Sequence, residues 1–358
     1  MKKIVVLILA VLMTLLLFSA CSSKETVIDN NEKTVCIFTD DLGRNISIPE
    51  NITRIAVTGP LTQIYILPIA SDMMVGYANE FSINAQKYIP DTFLNLPALG
   101  QLYGGKGTMD LEALLAAAPE VIIDVGEEKA NMAEDLDGLS EQTGIPFVHI
   151  NATVETAPDA YRKLGELLSR EEKGEQLAAY LEEILTRTYA IMDEVDKNNE
   201  RKTLLYCLGD KGTNVLAEKS FHAETLNIVS DNAAKIEDVT PSGDGNEVDL
   251  EQIILWNPDV IIFAPESVYS SVENEKTWQM LDAIKSGEYY ETPFGPYGWL
   301  QSPPAVQRYL GLMWLTSILY PDYCNFALKD EVIEYYKLFY DYDMTDSDYD
   351  ELMVNALK

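Results

Sequence analysis

The chain is poor in histidine, in cysteine and in basic charge. Two His in 358 residues cannot build a His-rich metal site, which argues against a multi-His zinc enzyme or a His-based zinc carrier. Lys and Arg number 26 against 58 Asp and Glu, a formal net charge of −32, and no basic stripe interrupts it; a nucleic-acid backbone would be repelled. There is no Gly-x-Ser-x-Gly elbow, no phosphate loop of the Walker type and no His-Glu-x-x-His. Three of the four Cys lie beyond the leader, at 36, 207 and 324, so at most one disulfide forms. Cys36 and Cys207 sit in apolar strand-like runs and read as buried thiols, with no His paired to either. No catalytic residue, resident metal or cofactor is expected. What remains is a globular composition, 47% hydrophobic and 23% charged, long enough for one oversized domain or two ordinary ones.

The first twenty residues are not part of the fold. Lys2 and Lys3 precede an apolar run from Ile4 to Phe18, too short for a membrane span, and Ser19-Ala20-Cys21 follows. Small residues before a Cys resemble a bacterial lipoprotein signal; an ordinary secretory signal with an incidental Cys is the alternative. Lipidation of Cys21 would anchor the mature chain to the membrane, and two or more acyl chains hold stably where one would not. Loss of residues 1–20 removes two Lys and no acid, so lipid headgroups gain no basic patch to bind. Residues 21–33 read as a tether.

Residues 34–38 and 45–48 alternate apolar and polar around Asp40-Asp41-Leu42-Gly43-Arg44, a β-hairpin pattern. Strand and helix then alternate: strand 54–57, helix 61–70, strand 73–76, helix 84–88, helix 110–118, strand 120–124, helix 130–143, strand 146–149. The order predicts an α/β lobe with a mostly parallel sheet over residues 34–158. Over 159–198 the period changes. Leu177, Leu181, Ile184, Thr188, Ile191 and Val195 recur at three- and four-residue spacing, one long amphipathic helix after a shorter one at 159–168. The α/β pattern restarts over 199–358 with strands at 203–208, 259–263 and 288–291, helices at 222–229, 249–256, 277–283 and 303–319, and closing helices in the Tyr-rich acidic tail.

Asp110 to Asp124 recurs without gaps as Asp249 to Phe263, with seven of fifteen positions identical. Asp caps the helix, Glu in the first turn suits the helix dipole, Pro119 and Pro258 stop the helix, and Val-Ile-Ile is a strand buried on both faces. The fold class that follows is α/β: two similar lobes joined by one long interlobe helix, with a ligand cleft between them. Ligands in such sheets sit beyond the carboxyl ends of the strands, which nominates the loops carrying Thr58, Glu127 and Asp210. Tyr103 and Lys106, around three glycines, add a loop that permits close backbone approach; the loop is otherwise an exposed turn with structural glycines. Tyr297, Trp299 and Arg308 lie in and after a Pro/Gly-rich loop. They suit a ring-bearing chelate or an anionic group, or else Trp299 packs a core edge and Arg308 pairs with an acid. His149 lies in a strand and reads as a core histidine; His222 precedes a helix and is weak evidence for a site.

With the hairpin from Thr39 to Pro49, both Asp-Leu-Glu repeats, the long helix and the segment Pro296 to Arg308 in view, the chain resembles the substrate-binding proteins of ABC importers, in the class with a rigid interlobe helix that serves iron-siderophores, haem and cobalamin. The segment Pro296 to Arg308 is similar to a subgroup handling iron complexes, with relatives handling molybdate or tungstate. The resemblance implies a monomeric, extracytoplasmic, lipid-anchored receptor that passes a metal chelate, or an oxyanion, to an ABC permease dimer. It also implies that Glu112 and Glu251, one per lobe, dock on arginines of the permease; on the residues alone each is a favourable first-turn acid. A secreted two-lobe enzyme and a surface adhesin are the readings of other classes.

Overall fold

The computed structural model describes residues 26–28, 34–103, 107–241 and 243–358. The expected signal peptide, Cys21, most of the tether and the candidate Lys106 lie outside the described residues. Strands β1 (Thr26–Ile28), β2 (Thr34–Thr39) and β3 (Asn45–Pro49) form an antiparallel sheet, with Thr39 paired to Asn45 across the turn. Gly43 in that turn has φ +75°, a region L-residues enter at a cost. Asp40 is buried and accepts the backbone N–H of Leu42, Arg44 and His149, which fastens the hairpin to the first lobe.

That lobe is built on β4 (Ile55–Val57), β5 (Val121–Gly126) and β6 (Phe147–Asn151), all parallel, with β5 in the middle. The second lobe is built on β7 (Thr203–Leu208), with short strands β8 (Asn214–Val215), β9 (Asp231–Asn232) and β10 (Asn246–Glu247) on its flank, then β11 (Val260–Phe263) and β12 (Tyr289–Glu291). Strands β7, β11 and β12 are parallel with β11 in the middle, so the repeat seen in the sequence is a repeat of topology.

Side chains two apart on a strand share a face, and here each face has its own core. Ile55, Val57, Val121, Ile123, Val148 and Ile150 point into one large cluster; so do Leu204, Tyr206, Val260 and Ile262 from the second lobe. The residues between them point outward, Ala56, Ile122 and Phe147 to a small cluster under helix Leu111–Ala117, and Leu205, Cys207, Ile261 and Phe263 to another under helix Leu250–Trp256. The acid after the proline of each repeat ties its strand to the neighbour: Glu120 accepts Thr53 N–H and Oγ1, and Asp259 accepts Thr203 N–H and Oγ1.

The helix Glu171–Lys197 is 27 residues long, about 40 Å, and buries the predicted face from Leu177 to Val195. It crosses helix Ala157–Leu168 where Gly174 faces Gly165; a Cβ at Gly174 would sit 2.6 Å from Tyr161 O. Helix Leu328–Tyr340 returns across the molecule, setting Tyr336 against Tyr88 of the first lobe and Phe339 against Tyr161 of helix Ala157–Leu168.

Three elements differ from expectation. The helix expected over 277–283 is a 3-10 turn, Trp278–Met280, followed by a short helix, Asp282–Ser286. Residues 73–76 form no strand: a 3-10 turn, Ser71–Met73, ends in a single bridge from Met74 to Ile55. The helix expected from 303 starts at Arg308: Pro304 disfavours the helical region for the residue before it, and residues 305–307 form a turn. Cys36 and Cys207 are buried, Cys324 is half-buried, and all three are free thiols. Among the described residues no helix is long and apolar enough to cross a membrane, and no group of three or more His, Cys, Asp or Glu could hold a metal ion.

Candidate ligand-binding site

The site is assembled at the carboxyl ends of the strands. Strand β4 runs into Thr58 and Gly59, which precede helix Pro60–Ala70. The Thr58 carbonyl accepts the N–H of Leu102 at 2.6 Å and of Tyr103 at 3.4 Å, and a Cβ at Gly59 would lie 2.8 Å from Tyr103 O. Glycine at 59 therefore lets the Tyr103 loop close on the strand end. The Thr58 hydroxyl is buried and donates to Asp124, whose other oxygen lies 2.8 Å from His149 Nδ1. Thr58 thus holds Tyr103 through its backbone and is itself held by Asp124.

Tyr103 carries Lys129 Nζ 4.4 Å above its ring centre, and its hydroxyl is buried without a partner. Burial pushes that hydroxyl up to about 12. Lys129 stands just beyond the loop of Glu127. The Glu127 carboxyl is half-buried and titrates above the usual range, raised chiefly by burial, with Lys129 opposing, Glu224 adding and Arg308 opposing. Glu224 and Arg308 belong to the second lobe, so Glu127 looks across from one lobe to the other.

Arg308 is the centre of the second lobe's contribution and is 1% exposed. Its Nη1 donates to Glu224 Oε2 at 2.6 Å and to Phe221 O at 3.4 Å, and its guanidinium carbon lies 4.7 Å from the Phe221 ring centre. Its Nε and Nη2 are buried with no hydrogen-bond partner. Glu224 is held by the first lobe as well, accepting Val154 N–H at 3.2 Å. Tyr65, on helix Pro60–Ala70, feels the same guanidinium: burial raises its hydroxyl to about 12, and Arg308 opposes that rise. His222 follows Phe221 on a 3-10 turn capped by Ser220, and its Nδ1 is also buried and unpartnered.

An unpaired buried donor is costly, and a guanidinium with two of them is a site short of an acceptor. Arg308 and Lys129 bring two positive charges to one spot in a chain of net charge −32, beside Glu224, which is ion-paired with Arg308, and the half-buried Glu127. The arrangement can hold a small anion; the described residues show no nucleophile–base pair there.

The structure thus brings Glu127 within electrostatic reach of Arg308, while Thr58 holds the Tyr103 loop at the first lobe's strand end, where the Tyr103 ring packs on the outer cluster under helix Leu111–Ala117. Tyr297 bridges the lobes instead of lying open: its hydroxyl accepts Gln63 Nε2 at 3.1 Å and its ring lies 5.9 Å from Phe81. The stacking role expected for Trp299 is corrected. The indole is fully buried, edge to face with Trp314 at 6.5 Å, and offers a ligand no open face. Asp210 is exposed on the turn 209–212, whose Gly212 packs on Val268 and Trp278 of the outer cluster, away from Arg308. Glu112 and Glu251 stand exposed in the first turns of the two repeat helices. Sequence reasoning missed Lys129, Phe221 and Glu224. For Lys129 the signal was there, two residues past a loop already nominated; Glu224 and Phe221 are named only by the Arg308 they meet in space.

The family model described as periplasmic binding protein matches residues 72–295. Among curated proteins, the molybdate-binding protein MolA of Haemophilus influenzae is 25% identical, over 94% of this chain and 97% of its own. Among solved structures, an ABC transporter solute-binding protein from Sulfurospirillum deleyianum is 29% identical with a TM-score of 0.81, covering 89% of this chain and 99% of that one. A periplasmic solute-binding protein from Veillonella parvula, 23% identical, shares the fold with a TM-score of 0.72 over 90% of this chain and 98% of its own.

Proposed function

The chain belongs to the periplasmic binding protein family, and we propose that it is the solute receptor of an ABC importer whose cargo is a small tetrahedral oxyanion of the molybdate type. One observation carries the reading: buried Arg308 holds two N–H groups without acceptors, in the space between the lobes. An oxyanion supplies the missing acceptors in charge-assisted bonds. The molybdate-binding relative, similar along nearly the whole chain, supports the same cargo. The iron-siderophore, haem or corrinoid expected from the sequence fits less well, since Trp299 lies in the core and Tyr297 is engaged with Gln63 and Phe81. In this reading Glu112 and Glu251 meet the permease, and Cys21 carries the lipid that keeps the receptor at the membrane.

Calorimetric titration tests the cargo. Molybdate or tungstate should bind saturably, and Arg308→Gln should weaken binding by roughly ten- to a hundredfold, the worth of about 1.5–3 kcal/mol for hydrogen bonds to a charged group. Saturable binding of a ferric chelate, with none of molybdate, tungstate or sulfate, would overturn the proposal.

A further inference from the structure

The chain has two histidines in opposite circumstances. His149 is fully buried, with Nδ1 committed to Asp124 and its backbone N–H to Asp40, and only its Nε2 is left without a partner. His222 has no such commitment. Its backbone N–H is taken by Ser220 Oγ, the carbonyl just before it is taken by Arg308, and its Nδ1 is buried with nothing to bond. The ring is walled by Gly243, where a Cβ would lie 2.8 Å from His222 Cε1 and 3.4 Å from Gln301 Oε1.

The charged groups around this ring come from three places. Arg308 comes from the helix that starts there, Lys129 from the loop after β5, and Asp244 from the segment beside Gly243. Glu224, on its own segment, is paired with Arg308. Burial chiefly, with Arg308 and Lys129 assisting and Asp244 opposing, lowers the ring's pKa to about 4, so without ligand the imidazole is neutral at neutral pH. A doubly charged anion bonded to Arg308 Nε and Nη2 would work against burial and the two cations, because it brings two negative charges that favour the protonated ring.

Resting on the oxyanion reading above, we propose that His222 takes up a proton as the anion binds, so that the receptor selects doubly charged oxyanions over singly charged ones of the same shape. No group leaves and no bond breaks; the proton comes from solvent and ends on the imidazole, which then donates to a ligand oxygen. The sign follows from linkage. Binding raises the pKa of His222 above its ligand-free value, so affinity grows as pH falls, and the gain is lost as pH rises through the raised, ligand-bound value.

The test is calorimetric titration of the mature chain with molybdate from about pH 6 to 8, in paired buffers of different ionisation enthalpy, with perrhenate as the singly charged anion of like shape. The expected result is uptake of up to one proton per molybdate, a dissociation constant that tightens by up to roughly tenfold per pH unit, and neither effect for perrhenate. His222→Gln, which keeps a polar neutral side chain, should bind molybdate more weakly and without proton uptake. Molybdate binding with no proton uptake, or uptake that persists in His222→Gln, would overturn this inference and leave the oxyanion reading standing. Absence of binding by molybdate, tungstate and sulfate at every pH would overturn the oxyanion reading and this inference with it. The buffer pairs need no variant, so the inference stays testable if His222→Gln does not fold.

Discussion

In the first lobe the middle strand reaches Asp124; in the second lobe the matching strand reaches Phe263 at the same position of the repeat. Around these two residues the lobes agree closely. Each repeat helix leaves through a left-handed residue, Ala118 or Asn257, followed by proline, and the acid after that proline, Glu120 or Asp259, accepts the N–H and hydroxyl of a threonine at the neighbouring strand's start. At the strand end they diverge. Asp124 joins Thr58 and His149 in a buried polar trio, while Phe263 meets Trp278 at 5.3 Å, Tyr269 at 6.2 Å and Tyr289 at 6.3 Å in an aromatic cluster. The shared positions do backbone work that any such lobe needs. The divergent position separates the lobes: the first uses its strand end to hold the Tyr103 loop, and the second closes its strand end with rings and brings Arg308, the group proposed to meet the anion, from a separate helix start.

The comparison breaks most visibly at the exposed acids. If the lobes are equivalent toward the permease, Glu112→Arg and Glu251→Arg should each cut uptake by roughly tenfold or more, since like charges brought together at an interface cost several kcal/mol. Molybdate affinity of the isolated receptor should stay unchanged in both. A loss confined to one of the two would make the docking one-sided; full uptake in both would remove these residues from the interface.

Next in size is the strand-end difference itself. Phe263→Ala empties a fully buried ring position and should cost about 3–5 kcal/mol in urea unfolding, with ligand affinity largely kept. Asp124→Asn keeps the shape and weakens charged hydrogen bonds, so about 1.5–3 kcal/mol is expected, together with weaker molybdate binding as Thr58 loosens its hold on the Tyr103 loop. Weaker binding in Phe263→Ala and none in Asp124→Asn would reverse the assignment of roles.

Much of this frame was legible because it is written in local patterns. The fifteen-residue repeat at 110–124 and 249–263, the long helix from Leu177 to Val195 and the hairpin at Asp40 depend on patterns within short segments, and such patterns are visible in a sequence. The candidate site was legible only as loops. Thr58, Tyr103, Glu127 and Arg308 were nominated by their place after strands or in a Pro/Gly-rich loop, but the approach of Glu127 to Arg308 depends on how the lobes face each other. Trp299 shows the limit. A tryptophan in such a loop looks free to stack, and only the arrival of Trp314 from a helix that starts after Pro303 and Pro304 puts it in the core. Residues 73–76 are a second case: an apolar run reads as a strand, yet it finds a single bridge to β4.

The smallest difference between the lobes lies in the first residue of the repeat. Asp110 and Asp249 are identical in sequence and both precede a seven-residue helix, so propensity alone gives them equal value. In space they differ. The Asp110 carboxylate accepts the N–H of Glu112 and of Ala113, both at 3.0 Å, whereas Asp249 makes no side-chain bond to its helix. A cap that satisfies orphan N–H groups contributes about 0.5–2 kcal/mol, and a cap residue that does not bond them keeps only its charge near the helix dipole, about 0.3–1 kcal/mol at most. Asp110→Ala should therefore lower the urea midpoint measurably and Asp249→Ala should move it less. Equal shifts would mean that both carboxylates cap in solution, and that the two repeats are closer to one another than their hydrogen bonds indicate.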